Sequence, residues 1–366
     1  MKRIPLAEPV LGAKERSYVN DCLRSGWISS RGEYIGRFEK AFAAYTGTTY
    51  GMATCNGTVS LHLILLALGV GVGDEVIVPT FTYVASVNAI LYVGAKPVFV
   101  DCDVSTYAMD PEQVEKKMTK RTKAIMVVHL YGNPCDMDAL TRISRQCGVP
   151  IVEDAAEAHG AEYRKRRAGS FGNASSFSFF GNKTMTTGEG GMVCTNSLRL
   201  AERVRLLKNQ GQSPTRRYYH PVLGYNYRMT NITAAIGLAQ VESIGKFIAK
   251  KRALRAWYEE DLEDLQRHGL IRFQKDTALS RPSYWMIALT LASAKPKDVA
   301  RRLEKHGIET RPFFVPMHRL PYINDRGSYS RAEKLSKTGI ILPSALTLTR
   351  KDVTLACTQL RRALKK

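Results

Sequence analysis

The sequence contains no long apolar run. Its most apolar stretch, residues 61–72, is interrupted by His62 and by two glycines, whereas a membrane-spanning helix needs about 20 consecutive apolar residues. Residues 1–5 lead into charged residues rather than into the apolar core of a signal peptide. We therefore expect a cytoplasmic protein that has neither a secretion signal nor a membrane partner.

Cysteine is sparse and unclustered. An odd number of cysteines without Cys-x-x-Cys spacing argues against a disulfide framework and against a zinc site, and it indicates reduced thiols in the cytoplasm. No metal is therefore expected. The seven cysteines are Cys22, Cys55, Cys102, Cys135, Cys147, Cys194 and Cys357.

Acidic residues are too few to balance the basic ones. The chain has 54 Lys and Arg against 33 Asp and Glu, and its formal charge is +21. Such a charge favours anionic partners, which could be nucleic acid or an anionic small substrate, unless the cations only cover a solvated surface. The basic clusters at residues 164–167 and 250–252 contain no interleaved aromatic residues, unlike a base-stacking surface. We favour a solvated surface first and substrate steering second, and expect no nucleic-acid partner.

Residues 50–200 alternate short apolar runs with helix-like segments. The runs are β-branched and almost continuously apolar, as expected of strands buried on both faces. Their alternation with helices predicts a parallel sheet in an α/β sandwich. The predicted strands are residues 75–79, 97–100, 123–128 and 150–153, and the predicted helices are residues 59–68, 84–92, 111–118 and 138–147.

The pattern changes after about residue 230. Thr230 and Asn231 predict a helix N-cap, and the helical stretch that follows extends to about Leu262. Because this stretch is longer than a usual globular helix, we expect a break and a domain boundary within it. A chain of 366 residues is also too long for one compact core. We predict a large domain, residues 1–245, and a small domain, residues 246–366, with the N-terminal segment able to pack on the small one.

The small domain is expected to be of the α+β class. Strand-like and helix-like patterns alternate along it, and one segment has the composition of a surface loop. The predicted strands are residues 283–291 and 308–311, the predicted helices are residues 297–306 and 350–364, and the loop is residues 319–330.

Lys183 stands between an apolar strand and a glycine-rich turn. The strand residues Phe177, Phe179 and Phe180 indicate that this lysine emerges from a core strand rather than from a surface turn. About one helix and one strand earlier, Asp154 ends another apolar strand. A lysine near a buried aspartate is what pyridoxal phosphate (PLP) needs, because the amine forms a Schiff base with the aldehyde and the aspartate keeps the pyridine nitrogen protonated. The pattern therefore predicts an enzyme that moves amino groups.

The acidic pair around Asp154 has other interpretations. Two carboxylates at a strand end can form a metal site, an acid–base pair or a solvated turn, but His159 stands alone and no ligand cluster accompanies it. Beside a pyridinium, Asp154 would stay ionised because a neighbouring positive charge favours the carboxylate. Ala155 and Ala156 leave room for a flat ring, and Glu157 could bind the ring hydroxyl.

Three further positions are compatible with the same cofactor. Gly57 and Thr58 open a predicted helix, whose free N–H groups and dipole would suit a phosphate, although an ordinary capped helix explains them equally well. Tyr83 could stack on a flat ring at a strand end or lie in the core. Ser178 points away from Phe177 and Phe179 if the segment is a strand, and so could reach the phosphate.

Taken together, these motifs resemble the DegT/DnrJ/EryC1/StrS family of PLP-dependent sugar aminotransferases over essentially the whole chain. The resemblance implies the fold type I aminotransferase architecture, with a large α/β/α domain, a mostly parallel sheet and a smaller α+β C-terminal domain. It also implies pyridoxal phosphate as cofactor, with pyridoxamine phosphate as its intermediate form. The motifs that carry it are residues 25–30, 56–58, 79–86, 153–157 and 183–191.

The family pattern assigns a role to each of these residues. Lys183 is the Schiff-base lysine and proton shuttle, and Asp154 pairs with the pyridine nitrogen. Asn226 reaches the cofactor phosphate of the neighbouring subunit, which implies a homodimer with shared active sites and leaves a tetramer open. The other implied cofactor contacts are Glu157 to the ring hydroxyl, Tyr83 on the ring, Ala156 beside it, and Gly57, Thr58 and Ser178 at the phosphate.

Within the family, the chain is most similar to the branch that transfers an amino group from L-glutamate to C4 of GDP-4-keto-6-deoxy-D-mannose. The runs at residues 179–183, 225–231 and 311–314 carry this narrower resemblance. The first alternative is a sibling that acts on a dTDP- or UDP-linked 4-ketosugar. The second is a non-catalytic regulator or a nucleic-acid-binding protein on the same fold. The expected contacts to the nucleotide diphosphate or the sugar are Trp27, Ser29, Ser30, Arg228, Arg311 and His318.

Overall fold

The computed structural model describes residues 3–365. The α-helices are α1 (Ala13–Ser25), α2 (Glu33–Thr46), α3 (Gly57–Ala67), α4 (Val84–Tyr92), α5 (Pro111–Lys116), α6 (Met137–Cys147), α7 (Leu198–Lys208), α8 (Asn231–Asp261), α9 (Glu263–Arg267), α10 (Pro296–Glu304), α11 (Ser330–Thr338) and α12 (Arg350–Leu364). The strands are β1 (Tyr50–Thr54), β2 (Glu75–Pro79), β3 (Lys96–Val100), β4 (Thr122–Val128), β5 (Ile151–Asp154), β6 (Glu162–Tyr163), β7 (Arg166–Arg167), β8 (Ala174–Ser178), β9 (Gly191–Thr195), β10 (Ile271–Phe273), β11 (Ser280–Arg281), β12 (Ile287–Leu291), β13 (Arg311–Pro312) and β14 (Gly339–Leu342).

A seven-stranded sheet forms the centre of the larger part of the molecule. Its strand order is β1-β9-β8-β5-β4-β2-β3, and within this sheet β9 runs opposite to the other six strands. Strands β2 and β5 are buried along their whole length, which explains the apolar runs at residues 76–79 and 151–152. The expected mostly parallel sheet is confirmed. Because Asp154 ends β5 and Ser178 ends β8, both side chains lie at the carboxyl edge of the sheet.

The long helix α8 runs without a break, so the expected interruption is wrong. It contains no proline, and the Thr230 side chain caps it by accepting a hydrogen bond from the Thr233 N–H. Its first half packs with Phe38 and Phe177, and its second half packs with the apolar residues of the smaller sheet. One helix therefore belongs to two cores, and the division at residues 245/246 stays a prediction.

By length and composition alone, α8 could also cross a membrane. Half of its most apolar stretch is buried inside the molecule, where the helix packs against α1, α2 and α12. Core helices of globular proteins pass the same test, so this single helix is weak evidence for a membrane segment.

The smaller sheet has the order β10-β12-β14-β13 and is antiparallel throughout. The two helices predicted for this half are present as α10 and α12. The strand predicted at residues 308–311 is reduced to β13, because Ile308 pairs instead with Ile4 of the N-terminal segment. The Ile4 N–H donates to the Gly307 carbonyl at 2.8 Å, and the Glu309 N–H donates to the Ile4 carbonyl at 3.0 Å. The N-terminal segment therefore packs on the core of this sheet.

Candidate functional site

Lys183 lines a cavity of about 410 Å³ at the carboxyl edge of the central sheet. Its walls are formed by the ends of strands β5 and β8, by the first turns of α3 and α4, and by residues near β12 and β13. The cavity therefore collects side chains that are far apart in the sequence. Of the residues predicted to act in the site, it brings together Gly57, Thr58, Tyr83, Asp154, Ala156, Glu157, Ser178, Lys183 and Arg311.

The strand before Lys183 is buried up to Phe179. Phe177 and Phe179 lie in the core, as predicted, whereas Phe180 is 47% exposed because it follows the end of β8 and lines the cavity. The Lys183 amine lies 3.7 Å from Oε1 of Glu157 and 3.9 Å from the centre of the Trp285 ring. Burial lowers the pKa of this amine, while the Glu157 and Asp154 carboxylates oppose that change.

Asp154 is only 6% exposed and is held by two donors. Its Oδ2 accepts a hydrogen bond from the Ser86 hydroxyl at 2.7 Å, and its Oδ1 accepts one from the Ala156 N–H at 3.2 Å. Burial raises the pKa of the carboxyl, and the Ser86 hydroxyl and the Ala156 N–H act against the rise. A positive group placed in the cavity would therefore favour the ionised form of Asp154.

Glu157 is fixed by the backbone of Tyr131. Its Oε2 accepts a hydrogen bond from the Tyr131 N–H at 2.8 Å. Tyr131 has a φ of 56°, which is rare for an aromatic residue, and such strained backbone concentrates at functional sites. Burial is the main cause that raises the pKa of Glu157 to about 7, and the Lys183 amine opposes it.

The first turn of α3 approaches the end of β8 closely. A Cβ atom on Gly57 would lie 2.8 Å from the Cβ atom of Ser178, so a side chain fits there only if the strand end moves. Asn56 caps the helix by accepting a hydrogen bond from the Val59 N–H at 3.0 Å. The uncapped N–H groups of this turn and the helix dipole form a local anion-binding environment.

Tyr83 lies at the rim of the cavity rather than in the core. It is the N-cap residue of α4 and is 54% exposed. Its ring centre lies 5.7 Å from that of Phe314. An aromatic face is therefore available to a planar ligand at the cavity mouth.

Within one chain, Trp27, Ser29 and Ser30 do not line the Lys183 cavity. The Asn231 side-chain amide donates to the Trp27 carbonyl at 2.7 Å, and the Asn231 N–H donates to the Ser29 carbonyl at 2.6 Å. These bonds place the segment at the first turn of α8, where Trp27 lines a separate cleft. Their roles as substrate contacts stay predictions.

Asn226 and Arg228 also lie outside this cavity. The Asn226 side chain is exposed, and its Oδ1 accepts a hydrogen bond from Arg228 Nε at 3.1 Å. Arg228 Nη1 donates to Asn209 Oδ1 at 3.1 Å. The two side chains are therefore held together at a surface that does not line the Lys183 cavity of the same chain.

His318 is packed behind the site, so the structure does not bring this predicted substrate contact to the cavity. It is buried, its Nδ1 lies 2.7 Å from the Thr80 hydroxyl, and its Nε2 lies 3.3 Å from Oε1 of Glu333. With both ring nitrogens engaged, its visible role is to join the end of β2 to α11.

Sequence reasoning missed three residues of the site. Trp285 faces the Lys183 amine, and its Nε1–H donates to the Asn182 carbonyl at 2.8 Å. Ser86 and Tyr131 hold the two carboxylates. The only sequence signal for Trp285 is the rarity of tryptophan, with three in the chain.

Comparison with known proteins gives a consistent result. Residues 9–361 match the DegT/DnrJ/EryC1/StrS aminotransferase family. The chain is 47% identical to GDP-perosamine synthase of Escherichia coli O157:H7 over 359 residues, which cover 98% of this chain and 97% of that protein. It is 46% identical to GDP-perosamine synthase of Caulobacter vibrioides over 96% of both chains.

A solved structure shares the fold. The PLP form of a putative sugar aminotransferase from Streptococcus pneumoniae superposes with a TM-score of 0.92 at 28% identity, covering 100% of this chain and 99% of the other. The family match spans nearly the whole sequence, and it includes every residue that the Lys183 cavity brings together. The chain therefore belongs to the DegT/DnrJ/EryC1/StrS aminotransferase family.

Proposed function

We propose that the protein transfers the amino group of L-glutamate to C4 of GDP-4-keto-6-deoxy-D-mannose, giving GDP-perosamine, with pyridoxal phosphate as cofactor. The observation that carries the aminotransferase chemistry is the meeting of Lys183, whose side chain is 11% exposed, with the buried Asp154 and Glu157 in one cavity. The choice of sugar is supported by the names of relatives that are 44–47% identical over nearly the whole chain.

The residues of the cavity fit pyridoxal phosphate. The close approach of Gly57 to Ser178 and the first turn of α3 would hold the phosphate, Asp154 would take the pyridine nitrogen, and the exposed Tyr83 ring would cover one face. Glu157 would face the ring hydroxyl, and Ala156 keeps the wall beside it small. When bound, the cofactor supplies an aldehyde that links to amines and a ring that withdraws electrons from the bond being broken.

Lys183 and Glu157 are close enough to form a coupled pair for proton transfer. Burial lowers the pKa of the Lys183 amine and raises that of the Glu157 carboxyl to about 7, so the two values approach each other. A group whose pKa lies near the working pH both accepts and releases a proton readily. Glu157 is such a group, and it lies 3.7 Å from the Lys183 Nζ atom. The lowered pKa of Lys183 favours the free amine, which can take a proton from the amino donor and return it to the product.

Arg311 provides positive charge for the substrate. It lines the cavity, its side chain is exposed, and its charge contributes to lowering the pKa of the Lys183 amine. A guanidinium binds the oxygens of a phosphate or carboxylate in pairs. We assign it to the nucleotide diphosphate or the donor carboxylate, and keep Trp27, Ser29 and Ser30 as sugar contacts.

The working unit in this proposal is a homodimer in the cytoplasm. Asn226 and Arg228 lie outside their own cavity and would complete that of a second copy, and dimers could pair further into a tetramer. All seven cysteines are unpaired, which is compatible with the reducing cytoplasm.

Product analysis tests the substrate. The protein would be incubated with PLP, L-glutamate and GDP-4-keto-6-deoxymannose, with parallel samples that hold dTDP- and UDP-linked 4-ketosugars. An amino sugar formed only from the GDP substrate supports the proposal, whereas one formed only from another substrate keeps the chemistry and changes the sugar. Absence of product from all three, with PLP bound, would favour a different keto acceptor or a regulatory role.

A further inference from the structure

Lys251 is buried where α8 passes from one core to the other. It is 2% exposed, although it carries an amine. One turn before it, Ile248 belongs to the cluster around Phe177, and one turn after it, Leu254 belongs to the cluster of the smaller sheet. A methionine or leucine would fill the same space without the cost of desolvating a charge, so the amine needs an explanation.

The Lys251 amine is bound by dipoles rather than by a carboxylate. It donates to the Trp285 carbonyl at 2.9 Å and to the Ser344 carbonyl at 2.5 Å, and it lies 3.4 Å from the Ser344 hydroxyl. An ammonium has three donors, and these are three acceptors. Burial lowers the pKa of Lys251 to about 7. The lysine thus fixes two chain segments to α8 at one point.

Trp285 connects this point to the candidate active site. Its backbone oxygen is held by Lys251, while its indole lies over the Lys183 amine, 3.9 Å from ring centre to nitrogen. The indole N–H also donates to the carbonyl of Asn182, the residue before Lys183. A displacement of the Trp285 backbone would therefore move both the ring and the turn that carries Lys183.

We propose that Lys251 is a positioning residue, which holds the Trp285 backbone so that the indole faces the Lys183 amine. The inference rests on the proposed role of Lys183. The negative face of an indole stabilises a nearby ammonium. Loss of the Lys251 amine would loosen the indole and lower the pKa of Lys183 by roughly 0.3–1 unit, since such contacts correspond to shifts of that size. Glu157, Asp154 and Arg311, the charged groups that act on Lys183, would stay in place.

Trace acetylation of the cofactor-free protein measures this pKa without requiring turnover. The protein would be treated with acetic anhydride across a pH series, and the extent of Lys183 modification would be read by peptide mass spectrometry. Wild type would be compared with Lys251→Met, Trp285→Leu and the double variant. Lys246→Met, at an exposed lysine on the same helix, is the matched control.

The double variant separates positioning from a purely structural role. In the otherwise wild-type protein, we expect Lys251→Met to lower the Lys183 pKa. In the Trp285→Leu background, which has no aromatic face, it should add nothing, and Lys246→Met should change neither. An unchanged Lys183 pKa in a folded Lys251→Met variant, or shifts that simply add, would overturn the proposal. If Lys251→Met does not fold, Ser344→Ala replaces it. We then expect a smaller decrease in the Lys183 pKa, and an unchanged pKa would contradict the proposal. Because no sugar is used, failure here is distinct from failure of the proposed reaction.

Discussion

The Lys183 amine and Oε1 of Glu157 lie 3.7 Å apart in one cavity. Burial disfavours the charged form of both groups, so it lowers the pKa of the amine and raises that of the carboxyl. Their mutual attraction acts in the opposite direction on each. The pair therefore titrates as a unit, and a proton added to one changes the affinity of the other for a proton.

Glu157→Gln should change how stability depends on pH. The folded carboxyl has a pKa of about 7 and the reference value is 4.5. Between these values the folded state holds more protons than the unfolded state, so stability falls as pH rises through this window. The variant lacks this fall, so at neutral pH its free energy of unfolding should exceed that of wild type by up to about 3 kcal/mol. Urea unfolding of cofactor-free protein across the window measures the difference.

The control for this experiment is Glu202→Gln, which removes an exposed carboxylate. Its stability should follow that of wild type at every pH. A Glu157→Gln variant that runs parallel to wild type through the same window would show that burial does not raise the pKa of Glu157.

Lys183→Ala should abolish amino transfer while the protein stays folded. Among the residues that line the cavity in the described structure, Lys183 alone carries an amine, and both carboxylates act on it. General acid–base help alone contributes about 10²–10⁴-fold to such reactions. Amino-sugar formation measured by mass spectrometry, with Lys246→Ala as the folded and active control, checks the assignment. Measurable turnover by Lys183→Ala would refute it.

The sequence predicted the local parts of this site better than the long-range ones. Lys183, Asp154 and Gly57 stand at strand ends and a helix start, whose apolar runs and small residues are visible within a few positions. Trp285 reaches Lys183 from about a hundred residues away, through packing between the two sheets. No periodicity in the chain encodes that contact.

Two other features also depend on long-range packing. The place of His318 in a motif predicts a substrate contact, whereas its partners Thr80 and Glu333 come from other parts of the fold, so that contact stays a prediction. The expected break in α8 followed from length alone. Two separate cores support the helix from opposite ends, so that one uninterrupted element is stable at 31 residues.

Ser86→Ala should weaken catalysis through Asp154. The Ser86 hydroxyl donates to Oδ2 at 2.7 Å and favours the ionised carboxylate, so its loss should raise the pKa of Asp154. Hydrogen bonds to charged groups contribute about 1.5–3 kcal/mol, which predicts a loss of kcat of about 10- to 100-fold. The acid limb of the kcat profile should move to higher pH.

Thr82→Val is the matched variant for that test. The Thr82 hydroxyl lies 3.0 Å from that of Ser86 but is not bonded to Asp154. Thr82→Val should reduce activity less than Ser86→Ala and should leave the acid limb of the kcat profile nearly unchanged. Equal effects of the two variants would mean that the hydroxyl pair stabilises the fold rather than the charge of Asp154.

Gly57→Ala should weaken cofactor binding. A Cβ atom at this position would approach that of Ser178 to 2.8 Å, so the first turn of α3 must move away from the end of β8. Overpacking of this kind costs about 1–3 kcal/mol. If this cost reduces the free energy of cofactor binding, PLP affinity falls by roughly 5- to 150-fold. Absorbance titration with PLP measures the loss.

Gly36→Ala supplies the comparison for that glycine. Gly36 lies inside α2, and a Cβ atom there meets nothing within 4 Å. The variant should bind PLP like wild type and gain up to about 1 kcal/mol of stability from helix propensity. Unchanged PLP affinity in Gly57→Ala would show that the phosphate does not use this turn.

Mixing two inactive variants tests whether active sites are shared between subunits. Asn226 is exposed and lies outside its own cavity, so in the proposed homodimer its amide would reach the cavity of the second copy. Asn226→Ala and Lys183→Ala homodimers should each have little activity. In a hybrid dimer, the Lys183 of one chain meets the intact Asn226 of the other, so one of the two sites is complete. After unfolding and refolding of an equal mixture, half of the dimers are hybrids, and activity should recover to about a quarter of wild type. No recovery beyond the sum of the parents would mean that Asn226 serves its own chain, and full activity of Asn226→Ala alone would remove it from the site.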